Sequence, residues 1–199
     1  MDRHNVFESL RAREAGAPKP WQARHDVQFY DDENDLAASV ASFLAEGIKS
    51  AQPAIVIATP GHSRIFREAL RQRAVEADSL GPNDMVWLDA HDTLSGFMEG
   101  GHPNRELFEA TVGNVFEKVT ASRRYVTVRA YGEMVNILWR DGKSQAAIEL
   151  EELWNGLASR YAFALLCAYC TKVLNPADLT GIEQICAVHS QVLPSRHSA

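Results

Sequence analysis

Short apolar runs alternate with longer amphipathic stretches along most of this chain. The clearest run is AIVIA at 54–58, and similar runs occupy 85–90, 125–130 and 163–167. The intervening stretches repeat apolar residues at helical spacing, as at Phe108, Val112, Val115, Phe116 and Val119. Short buried strands separated by amphipathic helices are typical of a parallel sheet with crossover helices. The pattern therefore predicts an α/β fold with a three-layer, doubly wound, mostly parallel sheet in a single domain.

Weaker signals supply the remaining elements. The segment 25–30, HDVQFY, alternates polar and apolar positions, which predicts a short or edge strand. The acidic run 31–35 suits the start of a helix, where capping oxygens and negative charge are both favourable. Ser63 is predicted to cap the next helix, and 96–103 to form a loop. A last short helix is predicted around Ile182, Ile185 and Val188.

The pattern fades at both ends of the sequence. Residues 1–24 mix charges with glycine and prolines, so we predict a mobile N-terminal arm with a short helix through Phe7 and Leu10. A chain of 199 residues can form one α/β domain with a substantial core, and two are not expected. The domain is predicted to span 25–194, followed by a tail at 195–199.

The charge balance restricts the class of partner. The formal net charge is −6, whereas a nucleic-acid-binding surface is normally basic. The sequence contains no apolar run long enough to span a bilayer, and its beginning lacks the apolar core of a signal peptide. We therefore expect a cytoplasmic protein that binds neither nucleic acid nor membrane.

Three cysteines give an odd count that favours a reducing compartment over a disulfide framework. Cys167 and Cys170 form a C-x-x-C motif. As a redox motif it should open a helix, whose N-terminus lowers a thiol pKa. Cys167 instead belongs to an apolar strand, so we predict that both cysteines are unpaired and structural.

Gly142-Lys143-Ser144 is similar to the end of a phosphate-binding loop, but the earlier glycine of that motif is replaced by Ile137. Such a loop needs a preceding strand and several glycines, whose backbone N–H groups surround the phosphates. Residues 134–140 have a helical pattern instead. Lys143 is therefore predicted to be a solvated residue in a helix–helix turn, and the protein is not expected to hydrolyse ATP.

Candidate binding residues follow three of the predicted strands. His62, His91 and Glu133 fall at strand exits, and Tyr131 and Tyr169 lie near the same edge. Ligands bind outside the carboxyl ends of the strands in open parallel sheets, so these five are predicted ligand-binding residues. His62, His91 and Glu133 could form a metal site together with Cys170 or His189. None of these residues has the local spacing of a structural zinc site. We predict no metal and no cofactor.

Glu151 and Asn155 stand four positions apart on a helix predicted at 146–159. They could together face a cleft and bind a ligand, or form an ordinary solvated helix flank. Glu133 likewise has two interpretations, a ligand-binding carboxylate or a cap of the helix that begins at Met134. No Ser-His-Asp or Cys-His arrangement has supporting local context, so no catalytic residue is predicted.

Several short sequence motifs occur in a fixed order along the chain. They are His25…Phe29-Tyr30, Phe43-Leu44…Gly47, Ile57-Ala58-Thr59 with His62, Leu88-Asp89-Ala90, Arg129-Ala130-Tyr131-Gly132-Glu133-Met134-Val135, Leu138-Trp139…Gly142, Leu150-Glu151…Trp154-Asn155, Leu166-Cys167-Ala168-Tyr169 and Ile185-Cys186-Ala187-Val188-His189-Ser190. This set resembles the MEDS family, the sensory domain of methanogens, methylotrophs and a dichloromethane-responsive regulator. The resemblance covers most of residues 25–194.

The resemblance implies a signalling input domain that senses small hydrocarbon derivatives, found alone or beside histidine-kinase and DNA-binding modules. It also implies a RecA-like fold related to the clock and recombinase ATPases, with a degenerate P-loop. We accordingly expect a non-catalytic sensory domain in bacterial signal transduction. It would bind a small molecule or a separate signalling protein, such as a histidine kinase or a transcription regulator. The alternatives are an enzyme that uses Glu133 as an acid or base, and a protein-interaction scaffold.

Overall fold

Six parallel strands form the central sheet of the protein. The computed structural model describes residues 24–123, 126–174 and 179–194. The strands within these ranges, in order, are β1 (Arg24–Tyr30), β2 (Ala54–Ala58), β3 (Met85–Asp89), β4 (Met98–Glu99), β5 (His102–Pro103), β6 (Val128–Gly132), β7 (Phe163–Cys170) and β8 (Gln191–Leu193). The sheet order is β3-β2-β6-β7-β1-β8, and β4 pairs with β5 in a small separate hairpin. Every pairing within the six-stranded sheet is parallel.

Helices cover both faces of this sheet. They are α1 (Glu33–Lys49), α2 (Pro60–Arg71), α3 (Ala90–Ser95), α4 (Arg105–Phe108), α5 (Asn114–Thr120), α6 (Met134–Arg140), α7 (Ser144–Leu157) and α8 (Leu179–Val188). A π-helical turn, Glu109–Gly113, joins α4 to α5. The hydrophobic core on one face of the sheet includes residues of α1 and α2. The hydrophobic core on the other face includes residues of α3 to α8. The predicted three-layer, doubly wound α/β fold is confirmed.

The strand sequences explain the two faces. Successive side chains of a strand point to opposite sides of the sheet. In β7, Leu165 and Cys167 pack towards the α7 side, whereas Leu166 and Ala168 pack towards α1 and α2. Because both sides are covered, the strands are almost continuously apolar, as AIVIA in β2 shows.

The helix starts follow ordinary capping chemistry. The Asp32 side chain accepts a hydrogen bond from the Asn34 N–H at the start of α1. The prediction for α2 is wrong by one turn: Thr59, not Ser63, is the N-cap, and Pro60 occupies the first helical position. Proline suits that position because its missing N–H would have no intrahelical partner and its φ is already helical.

A short or edge strand was predicted at 25–30, and the structure places this strand inside the sheet. β1 lies between β7 and β8, and six of its seven residues are buried. The edge alternative is wrong because the polar residues His25, Asp26 and Gln28 were taken to face solvent, whereas all three are buried. The short strand β8, which lies at the edge beside β1, has no clear pattern in the sequence.

The strand predicted at 125–130 lies further along the chain. β6 runs from Val128 through Gly132, so Tyr131 and Gly132 belong to the strand, whereas the predicted strand ended at residue 130. Residues 124–125 are outside the described part. In the predicted loop at 96–103 the chain forms the β4–β5 hairpin, and α3 precedes that hairpin.

Other sequence-based predictions are confirmed by the described residues. Lys143 is exposed in the turn between α6 and α7. Cys167 and Cys170 are free thiols, and they lie on opposite faces of the sheet because they are three positions apart in one strand. The predicted arm with its helix through Phe7 and Leu10, and the tail at 195–199, lie outside the described residues apart from Arg24, which begins β1. None of the helices in the described ranges is both long enough and apolar enough to cross a membrane.

Candidate functional site

The chain turns to opposite sides of the sheet after two neighbouring strands, β2 and β6. These strands pair in parallel, with Ile57 opposite Gly132. After β2 the chain enters α2, which packs on one face, and after β6 it enters α6, which packs on the other. Such divergence opens a crevice at the carboxyl ends of the strands, where open α/β sheets bind their ligands. Thr59 and Glu133 lie at this point.

Glu133 joins the two diverging connections through its side chain. Its Oε1 accepts a hydrogen bond of 2.5 Å from the backbone N–H of Thr59. Its Oε2 contacts Nδ1 of His62 and lies 3.4 Å from the hydroxyl of Tyr131. The residue is only 2% exposed, so its carboxylate is buried with partners for both oxygens. We call Thr59, His62, Tyr131 and Glu133 the Glu133 cluster.

The Glu133 side chain does not cap its own helix. Glu133 occupies the N-cap position of α6, but its side chain makes no capping hydrogen bond there. The alternative that Glu133 caps the helix beginning at Met134 is therefore wrong. The carboxylate is used instead to hold the loop that starts α2.

His62, like Thr59, is partly accessible. Its ring stacks on Phe66 with the ring centroids 5.4 Å apart, and its Nε2 lies 3.9 Å from the exposed Glu33 carboxylate. Burial acts to lower the pKa of His62, but the hydrogen bond and charge of Glu133, together with Glu33, outweigh burial and raise that pKa. Glu133 and His62 are thus in direct side-chain contact at the carboxyl ends of β2 and β6.

His91 does not join this group. It lies exposed in the first turn of α3, and its backbone N–H donates to the side chain of Asp89. The sequence suggested a metal site formed by His62, His91 and Glu133. Within the described ranges these three residues do not form a group that could hold a metal ion.

A second buried carboxylate, Glu151 of α7, lies on the opposite face of the sheet and is fully buried. Tyr169 donates a hydrogen bond of 2.8 Å to its Oε1, and Sγ of Cys167 lies 3.3 Å from its Oε2. Nε2 of His25 lies 3.1 Å from Oε2, and Nε2 of His189 lies 3.3 Å from Oε1. We call His25, Glu151, Cys167 and His189 the Glu151 cluster.

The electrostatics of the Glu151 cluster favour a buried negative charge on Glu151. Burial alone raises a carboxyl pKa, but the adjacent His189 and His25 outweigh it and hold the pKa of Glu151 well below its usual value. Burial and the Glu151 charge both raise the pKa of the Cys167 thiol and of the Tyr169 hydroxyl. The four donor atoms of the Glu151 cluster lie within 4.8 Å of one another.

The seven residues predicted to bind a ligand thus separate into three places. His62, Tyr131 and Glu133 meet at the strand ends. Glu151, Asn155 and Tyr169 meet on the other face, where Oδ1 of Asn155 lies 2.9 Å from Nδ1 of His25. His91 stands apart. The predicted grouping of Tyr169 with Glu133 is wrong, because the Tyr169 hydroxyl is bound to Glu151.

Sequence reasoning missed three polar members of the Glu151 cluster. His25 was assigned to a short or edge strand and Cys167 to the core, and His189 was considered only as a metal ligand beside His62, His91 and Glu133. The available signal was His25 itself, a histidine within a predicted strand. A histidine that is buried in a strand requires a hydrogen-bond partner. That signal does not identify the partner, because the other members come from positions after 150.

A groove of about 380 Å³ lies between α1 and α2. Its lining includes Ala37, Ile65 and Arg73. It shares no lining residue with the Glu133 cluster or the Glu151 cluster, so it adds nothing to either.

Comparison with known proteins places these features in a family. The sequence model of the MEDS family, described as the "MEthanogen/methylotroph, DcmR Sensory domain", matches residues 24–190. The chain belongs to the MEDS family. The comparison with curated proteins returns no match. Both clusters lie within the matched MEDS region, and the family description indicates a sensory role.

Proposed function

We propose that this MEDS protein is a non-catalytic sensory or regulatory domain of bacterial signal transduction, acting in the cytoplasm. Its crevice beside His62, Tyr131 and Glu133 recognises a small molecule. The response passes to a separate signalling protein, such as a histidine kinase or a transcription regulator. The observation that carries the proposal is the Glu133 carboxylate, which bridges two connections that diverge to opposite faces of the sheet.

The bridge gives a physical route for a signal. A ligand hydroxyl or amine that hydrogen-bonds to His62 or Glu133 competes with the contact between them. Glu133 also accepts a hydrogen bond from the Thr59 N–H at the start of α2. A change in the contact between Glu133 and His62 therefore alters the position of α2 relative to α6. A ligand shifts such an equilibrium only by its difference in affinity for the two arrangements.

The binding experiment uses the full chain and a panel of short alcohols, amines and halogenated one-carbon compounds. Binding is followed by thermal shift and confirmed by calorimetry. Glu133→Gln and His62→Gln should each weaken binding at least tenfold while the chain remains folded by circular dichroism. His91→Gln is the matched control, a histidine that also follows a strand but lies outside the cluster. Equal weakening in His91→Gln, or unchanged binding in the other two, contradicts the proposal.

The contact between a carboxylate and an imidazole also supports a second candidate, an enzyme in which Glu133 and His62 move a proton. Such a pair can act as a general base when it lies within reach of a substrate. Turnover of a compound that binds, lost in Glu133→Gln, would favour this candidate. Stoichiometric binding with the compound recovered unchanged favours the sensory domain.

Hydrolysis of ATP is not expected. Lys143 lies exposed in the α6–α7 turn, without the preceding strand that a phosphate-binding loop needs. Phosphate release from ATP with magnesium should equal the buffer background. Turnover abolished by Lys143→Ala would contradict this expectation.

A further inference from the structure

The Glu151 cluster combines the donor types of a metal site. It offers two imidazole nitrogens, one thiol and one carboxylate, which are the ligand types of zinc and related ions. Its members come from β1, α7, β7 and the residue that follows α8. The side chains of His25, Glu151 and His189 are at most 6% exposed. The cluster plays no part in the strand-end function proposed above.

The distances within the cluster suit tetrahedral coordination. Metal–ligand bonds of 2.0–2.3 Å separate neighbouring ligand atoms by about 3.3–3.8 Å. Nε2 of His25 lies 3.3 Å from Sγ of Cys167 and 3.1 Å from Oε2 of Glu151. Sγ of Cys167 lies 3.3 Å from that same Oε2. Small side-chain shifts are therefore enough to place an ion between these atoms.

Both histidines are oriented through their other nitrogen. The amide of Asn155 donates to the backbone carbonyl of Val188 at 2.9 Å, which directs its Oδ1 to Nδ1 of His25. Nδ1 of His189 lies 2.5 Å from the carbonyl oxygen of Ile185, which can only accept. Each ring therefore carries a proton on Nδ1 and directs its Nε2 towards Glu151. Metal-binding histidines are held in the same way by outer hydrogen bonds.

Nε2 of His189 is an unpaired buried atom. It lies 3.3 Å from Oε1 of Glu151, but the geometry gives it no hydrogen bond. A buried polar atom without a hydrogen-bond partner is costly. A cation in the middle of the cluster removes that cost.

We propose that His25, Glu151, Cys167 and His189 bind one divalent metal ion of the zinc class. The Cys167 thiol loses its proton to water on binding, as metal-bound thiols do. The thiolate and the carboxylate then balance the two positive charges of the ion, and both imidazoles bind it in their neutral form. The buried site is neutral overall, which avoids the large cost of an isolated charge in the protein interior.

The site explains how the end of the domain is held. His189 lies between α8 and the edge strand β8, which pairs with β1 over three residues only. The backbone N–H of the adjacent Ser190 donates to the His25 carbonyl, and the His25 N–H donates to the Ser190 hydroxyl oxygen. An ion that joins His189 to the two central strands fastens the segment 179–194 to the sheet. The same short edge strand can open to admit the ion. This proposal departs from the expectation of no metal, because the ligands lie far apart in sequence.

The first experiment measures metal in the full chain. The protein is expressed in medium supplemented with zinc or with cobalt, purified without chelator and analysed by mass spectrometry for metal content. We expect about one ion per chain. The cobalt form should show the visible bands of tetrahedral Co²⁺ and a near-ultraviolet thiolate-to-cobalt charge-transfer band. A folded chain with far less than one ion in both media, or one with both histidines protonated by NMR, overturns the proposal.

Variants then assign the ligands. Cys170→Ser and Cys186→Ser should keep the charge-transfer band, and together they assign it to Cys167 even if Cys167→Ser does not fold. His189→Gln should reduce the metal content at least tenfold and increase amide exchange in 179–194, whereas His62→Gln should change neither. Loss of the band in either cysteine control, or full metal content in His189→Gln, contradicts the assignment.

Discussion

Two buried glutamates, one on each side of this sheet, show how different surroundings give the same residue different roles. Glu133 binds a backbone N–H, one histidine and one tyrosine, and all of its partners lie at the strand ends. Glu151 binds side chains only, and they come from separate parts of the chain. The Glu133 cluster has a partly exposed histidine beside a crevice, whereas the Glu151 cluster is closed. The first arrangement suits exchange with a ligand, and the second suits permanent attachment.

The largest expected effect is that of Glu151→Gln. The change removes the charge that faces His25 and His189, while the volume of the side chain is kept. Breaking a buried ionic group by neutralising one member typically destabilises a protein by about 3–5 kcal/mol. Unfolding in urea should show a loss of about 3 kcal/mol. Glu152→Gln, an exposed neighbour on the same helix, is the control and should stay within about 0.5 kcal/mol. Similar losses in both variants would contradict the comparison.

Glu133→Gln should have a smaller effect on stability. The amide oxygen of glutamine can still accept the Thr59 N–H, so only the charged contact with His62 is lost. We expect a loss of about 1–2 kcal/mol in the free energy of unfolding. A loss as large as that of Glu151→Gln would mean that the two clusters are equally structural, and would weaken the case for a binding site at the strand ends.

The pH dependence of stability distinguishes the clusters further. Burial and Arg140 lower the pKa of His62, but Glu133 and Glu33 outweigh them and leave that pKa raised. A histidine whose pKa is higher in the folded chain stabilises fully below its unfolded pKa of about 6.5. That contribution is lost as pH rises through the folded pKa. The contribution of His62 to the free energy of unfolding should therefore decrease above about pH 6.5.

The measurement compares the wild type with Glu133→Gln between about pH 6 and pH 8.5. The variant should show a flatter profile in this window, because the group that raises the His62 pKa is gone. NMR titration of His62 gives an independent check. Identical profiles in the two proteins would show that the Glu133–His62 contact does not couple protonation to folding.

The smallest expected effects concern the cysteines. Cys170 and Cys186 are partly exposed and Cys167 is fully buried. A thiol reagent should label the first two in the native protein and Cys167 only on unfolding. Cys170→Ser should change stability by less than about 0.5 kcal/mol. Rapid native labelling of Cys167 would contradict the burial of the Glu151 cluster.

Sequence periodicity was enough to predict the layers of the fold, because buried parallel strands such as 54–58 are continuously apolar. It failed at β1, where His25, Asp26 and Gln28 gave an alternating pattern typical of an edge strand. Those residues are polar because of specific partners, such as Ser39 for Gln28, and local patterns carry no information on distant partners. The three residues of β8 are too few for a period to show.

The strand-end part of the candidate site was accessible from sequence for a topological reason. Parallel strands bring their carboxyl ends to one edge, so His62 and Glu133 could be placed together without knowing the register. The Glu151 cluster depends on register and on helix rotation, which fix the meeting of Cys167 with His25 and Glu151. The resemblance to the MEDS family included all of these residues but did not indicate which of them touch.

The position of β1 has a consequence for synthesis of the protein on the ribosome. β1 is the first strand to emerge, but its neighbours β7 and β8 are the last. At about 5–20 residues per second the strand waits on the order of ten seconds for a partner. A strongly apolar strand would invite aggregation during that interval. The polar residues His25, Asp26 and Gln28 keep the waiting strand hydrated, and they are buried only when translation of the domain is complete.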